Sequence, residues 1–90
     1  MTNHSLVGAV IAGLLAGEVR AEMARQKRTA GEMAGALGIT PHTAGRRLNG
    51  ATPFNVVELG NVAHWLGMTP DVLVQRAEER FVRADRPAAS

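Results

Sequence analysis

Apolar residues recur every three or four positions along most of this chain, and turn residues divide the pattern into five helical stretches. The first covers about residues 5–26. Leu6, Val10 and Leu14 form one stripe, Val7, Ile11 and Leu15 the stripe beside it, and Val19 and Met23 extend the face. Arg25, Lys27 and Arg28 gather near its end, where positive charge suits the negative pole of a helix. The second opens on Thr29 with Glu32 three residues later, a capping-box spacing in which hydroxyl and carboxylate each take one orphaned backbone N–H. Gly38 ends it, because a residue without Cβ takes positive φ without steric penalty. The third has Thr40 as cap and Pro41 at the first helical position, where a missing N–H is harmless, and it ends at Asn49-Gly50.

After a loop at 51–53, Asn55 caps a fourth helix with Glu58 at the box position, and Phe54 and Leu59 form a hydrophobic staple. Val56, Leu59, Val62, Ala63 and Leu66 are its expected buried face, and Gly67 closes it. The fifth repeats the grammar: Thr69 caps, Pro70 follows, Asp71 complements the dipole, and Met68 and Leu73 make the staple. Leu73, Ala77 and Phe81 share one face, and Glu79 and Arg83 stand at i, i+4 for an ion pair. No stretch reads as a strand. The expected fold is all-α, a compact five-helix bundle over residues 1–85, with 86–90 a flexible tail.

Composition narrows this reading. Ninety residues suffice for one domain, which buries roughly 60–65% of its unfolded surface and has a thin margin of stability. Phe54, Trp65 and Phe81 are the whole aromatic complement, so the core is aliphatic, which suits packed helices better than a sheet. Cysteine is absent, which rules out a disulfide or a thiolate metal site. The longest apolar run, 6–17, has twelve residues, short of the about 20 that a membrane span needs. No Lys or Arg precedes it, as a secretory leader would require. The expectation is a soluble intracellular protein without membrane association.

Candidate chemistry concentrates at 29–50, TAGEMAGALGITPHTAGRRLNG. Two short helices meet at Gly38, with small residues at Ala34, Gly38 and Ala44 and an apolar corner of Met33, Leu37 and Ile39, the pattern of a helix-turn-helix over 30–49. The net charge is +2 overall, yet 25–50 carries +4, from Arg25, Lys27, Arg28, Arg46 and Arg47 against Glu32 alone. Local positive charge of this kind attracts phosphate, although a solvated basic surface is the plain alternative.

The helix from Pro41 presents Thr40, Pro41, His42, Thr43, Gly45, Arg46 and Asn49 as base-contact candidates, with Ala44 and Leu48 facing the core. Arg46 suits a bidentate grip on guanine, and Asn49 suits adenine or the capping of its own helix. His42 reads equally as a donor to DNA or as an exposed surface histidine. Gly45 permits close approach to the groove or is simply tolerated. Phosphate-contact candidates are Lys27, Arg28, Thr29, the backbone N–H groups of Ala30 and Gly31, and Arg47. His4, His42 and His64 lie far apart with no acid at ligand or triad spacing, so neither a metal, a cofactor nor catalysis is expected.

The corner Ala34…Leu37-Gly38-Ile39-Thr40, the helix end Arg46-Arg47-Leu48-Asn49-Gly50 and the later stretch from Val62 to Asp71 (VAHWLGMTPD) resemble the helix-turn-helix family of the phage Cro and CI repressors, the XRE family. The resemblance covers about residues 20–75. It implies the lambda-repressor-like five-helix fold, a double-stranded DNA operator as partner, and dimers on palindromic sites. It places Pro41, His42, Gly45, Arg46 and Asn49 at base-facing positions. Ala30 stands where many relatives carry a phosphate-contacting Gln, Ala44 where they carry Val or Ile, and Arg47 where they bury an aliphatic residue.

The leading functional expectation is a sequence-specific transcriptional regulator, a small phage or mobile-element repressor in the bacterial cytoplasm, with no small-molecule ligand and with a homodimer contact through 6–17 as one option. The alternative is a protein-interaction module of the same fold, such as an antitoxin or anti-repressor, with the first helix and Phe81-Val82 as partner surfaces.

Overall fold

The computed structural model describes residues 4–85, which form five α-helices and no strand: α1 (His4–Arg25), α2 (Ala30–Leu37), α3 (Pro41–Leu48), α4 (Val56–Trp65) and α5 (Pro70–Asp85). The expected tail at 86–90 lies outside the described residues. Among the described residues no helix is long and apolar enough to cross a membrane.

Helix starts follow the local hydrogen-bonding groups. Thr29 and Asn55 form complete capping boxes with Glu32 and Glu58, and the Thr40 hydroxyl accepts from the Thr43 N–H ahead of Pro41. Three of the helix ends share one geometry. One or two residues past each helix the chain turns left-handed, at Lys27 (φ 57°), Gly38 (φ 67°) and Gly67 (φ 74°). In each case the next residue's N–H reaches back five positions, Arg28 to Met23, Ile39 to Ala34 and Met68 to Ala63, so orphan carbonyls find donors. Two of these positions carry Gly. Lys27 takes the same conformation with a Cβ, at a steric cost.

The end of α3 differs. Gly50 (φ 80°) reverses the chain, the Asn49 Oδ1 accepts from the Ala51 N–H at 2.8 Å, and the Thr52 N–H donates to the Arg46 carbonyl at 3.2 Å. A Cβ built on Gly50 would lie 4.0 Å from the Gly13 Cα of α1, so these glycines bring α3's end against α1. The Arg20 guanidinium, on α1, donates to the Leu48 carbonyl at that junction.

The core is one aliphatic cluster. Leu15, Val19 and Met23 of α1 meet Met33 and Ala34 of α2, Ala44 and Leu48 of α3, Val62 and Ala63 of α4 with Leu66 just past its end, and Leu73 and Ala77 of α5. Met33, Leu73, Val19 and Val62 are its largest fully buried side chains. Phe54, Leu59 and Met68 pack against it, as expected of staples. α1 runs along α5, α2 packs on both α3 and α4, and α3 touches α1. Between α1 and α5, Arg76 bonds Glu22 at 2.9 Å and Arg80 faces the buried Glu18 carboxylate.

Two expectations about buried faces need correction. Val56 is 85% exposed, and Glu58, two residues on, is buried in its place. The capping box alone does not require this, since Glu32 in the other box is exposed; Glu58 is buried where the Arg47 guanidinium of α3 closes over it. The first α1 stripe is also only partly used: Leu14 packs on the core, but Leu6 and Val10 are exposed.

Candidate nucleic-acid interface

α3 has eight residues and only two are buried, Ala44 and Leu48. One helical turn apart, they make a narrow stripe that fixes which face points out. His42, Arg46 and Asn49 cluster on the opposite side, within about 60° of one another at 3.6 residues per turn. All three are exposed, as are Thr40 and Pro41, while Thr43 and Gly45 on the flanks are half-buried. Of the expected base-contact set, His42, Arg46 and Asn49 therefore share one side of α3, while Thr43 and Gly45 lie on its two flanks.

Local bonds hold several of these groups in place. The Thr40 and Thr43 hydroxyls lie 3.0 Å apart and hydrogen-bonded, and Arg46 Nη2 donates to the Thr52 hydroxyl at 3.1 Å. Nothing in the sequence pattern singles out Thr52, which lies in the loop at 51–53. Both readings of Asn49 have a counterpart: its side chain is exposed, and its oxygen already accepts from Ala51. A Cβ on Gly45 would meet nothing within 4 Å, so no part of the fold demands glycine there.

The basic residues divide. Lys27 is exposed at the tip of the α1–α2 turn. Arg28 is half-buried, its guanidinium stacked over Trp65 at 4.7 Å from the ring centroid, a cation–π contact that tethers it to α4. Ala30 and Gly31 open α2 with exposed backbone. The anion site expected there is narrower than the sequence implied, because the Glu32 N–H is taken by Thr29 and the Glu32 carboxylate sits at the same pole. Hydrogen bonding from the Thr29 backbone N–H holds the Glu32 carboxyl below its ordinary range, so the pole carries its own negative charge.

Arg47 is the clear correction. Expected at a phosphate, it turns inward and forks onto Glu58, Nε to Oε1 at 2.7 Å and Nη2 to Oε2 at 3.2 Å. Its side chain is only 17% exposed and that of Glu58 11%. Glu58 Oε1 also accepts from the Asn55 N–H at 3.0 Å. The Arg47 fork holds the Glu58 carboxyl below its usual range, against the opposing effect of burial, and Glu58 in turn raises Arg47. The resemblance to the Cro and CI repressors gave a hint, an Arg at a position where those proteins bury an aliphatic residue. It did not say that Glu58, eleven residues on, would be its partner.

Residues 4–87 match the BetR domain family. Among curated proteins, none matches the sequence. Among solved structures, the chain is similar to the clp gene regulator ClgR from Corynebacterium glutamicum, at 20% identity and a TM-score of 0.77, over 82% of this chain and 79% of that one. At that identity the likeness speaks for a common fold.

Proposed function

The chain belongs to the BetR domain family, and from that premise we propose that it is a transcriptional regulator that binds double-stranded DNA sequence-specifically, with α3 in the major groove. The observation that carries this reading is the two-sided character of α3. Its apolar stripe is spent on the core, and its opposite side gathers an imidazole, a guanidinium and a carboxamide, the groups that read base edges. The exposed Lys27, the Trp-stacked Arg28 and the first N–H groups of α2 supply the phosphate contacts that set register. The fold shared with a gene regulator supports the same reading. We place the protein with small phage-type repressors of the Cro and CI kind, acting in the cytoplasm without catalysis, on the resemblance of its corner and of 62–71 to theirs.

One observation favours a second reading. Leu6 is 62%, Val10 48% and Val82 50% exposed on the adjoining α1 and α5, apolar surface that a partner protein or a second copy would cover.

Selection of bound duplexes from a random pool tests the proposal. A defined half-site should be enriched. Arg46→Ala should lose about 1–3 kcal/mol of discrimination at one base position, whereas Lys27→Ala should weaken all sequences alike and lower the salt slope by about one. Recovery of the pool without enrichment at any salt concentration overturns the proposal.

A further inference from the structure

The fully buried residues of α3 are Ala44 and Leu48, a narrow stripe one turn long that seats the helix on the core but gives little leverage against roll about its axis. Of the two flanks beside that stripe, one carries Gly45, which has no side chain to grip anything. The other carries Thr43 and Arg47. Thr43 bonds only within the first turn, to Thr40. Arg47 reaches a different helix, forking onto a carboxylate that is itself pinned by the Asn55 N–H at the start of α4. A fork has two contact points, so it fixes an orientation as well as a distance. Arg20 holds the far end of α3 at the Leu48 carbonyl, close to the axis, where it resists translation more than roll.

We infer that the Arg47–Glu58 fork is the positioning device that sets the roll of α3, and so decides where Arg46, His42 and Asn49 point. This rests on the reading of α3 as the DNA-reading helix. A roll of about 20° carries a group 5–6 Å from the helix axis through about 2 Å, enough to break a bidentate contact with a base. Neither residue touches DNA. Their effect is on selectivity, through the side chains they aim.

Glu58→Gln removes the charge and one of the fork's two acceptors and keeps an oxygen for the Asn55 N–H. Arg47→Lys keeps the charge pair and loses the fork, and it serves should Glu58→Gln fold poorly. Each variant is compared with wild type for binding to a duplex selected by the wild-type protein and to a scrambled duplex. The expected result is a fall of about tenfold or more in the ratio of the two affinities, with affinity for the scrambled duplex changed less than about twofold. Equal loss on both duplexes makes the fork a stability element only and overturns the inference.

A second measurement needs no DNA. Residual dipolar couplings of the free protein should show the α3 N–H vectors reoriented relative to α4 in either folded variant. An unchanged orientation also overturns the inference. A wild-type protein that selects no sequence defeats the functional proposal instead, and the couplings still decide whether the fork sets the roll.

Discussion

The α1–α5 pair and the α2–α3 corner are built on different terms. α1 has 22 residues and α5 has 16, and they pack along each other with Leu15, Ala16, Val19 and Met23 facing Leu73 and Ala77 in the core. The Arg76–Glu22 and Arg80–Glu18 pairs tie them together. α2 and α3 have eight residues each and bury two apiece. Isolated helices shorter than about 12–15 residues are marginal in water, so the corner exists because caps satisfy its ends and neighbouring helices hold its apolar side. The consequence is functional. A short helix with only two buried residues has most of its surface free, and its orientation must be imposed by groups on other helices.

The largest effect should come from the anchor of the corner. Met33 is fully buried, and Met33→Ala should cost about 2–5 kcal/mol, as much as Leu73→Ala on the long pair, measured by chemical denaturation. A cost under about 1 kcal/mol for Met33 alone would show that α2 is a passenger on the scaffold and that the corner does not depend on the core for its stability.

Acid should come next. The Glu58 carboxyl is held low chiefly by Arg47, and the Glu22 carboxyl chiefly by Gln26 and then Arg76. A carboxylate whose folded value is depressed adds stability that is complete above its ordinary value near 4.5 and is lost as pH falls through the lower folded value. Urea midpoints should therefore decline on going from neutral pH to below about 4. Glu58→Gln should remove the fork's share of that decline and Glu22→Gln the long pair's, leaving the part that comes from Glu32. A titration that Glu58→Gln leaves unaltered would mean that the fork adds nothing to folding.

The smallest effect is the most discriminating. At Lys27 the left-handed conformation costs a non-glycine residue about 1 kcal/mol or more, offset partly by the extra unfolded-chain freedom that glycine brings. Lys27→Gly should gain a few tenths to about 1 kcal/mol of stability while reducing the salt slope of DNA binding by about one. Stability and binding then move in opposite directions in one variant. A thermal midpoint that falls removes the strain assigned to Lys27, and a salt slope that stays put removes Lys27 from the phosphate set.

Most of the fold was legible in the sequence, and the interface was legible in part. Thr29-Glu32, Thr40-Pro41 and Asn55-Glu58 mark helix starts because a cap bonds to atoms only a few positions away. Gly38 and Gly67 mark ends for the same reason. The outward placement of His42, Arg46 and Asn49 followed from helical periodicity once Ala44 and Leu48 were assigned inward. Lys27 escaped notice as a left-handed residue because lysine gives no sign of that conformation.

By itself, then, the sequence determined the five helices, the caps of α2, α3 and α4 and the two-sided character of the third, since each depends on interactions spanning one or two turns. Tertiary structure alone decided what three of the arginines do. Arg47 meets Glu58 across eleven residues, Arg28 lies on Trp65, and Arg76 reaches Glu22 across fifty-four. The reason is physical: a guanidinium serves phosphate, carboxylate and aromatic ring almost equally well, and only the packing of distant helices decides which of them lies within reach.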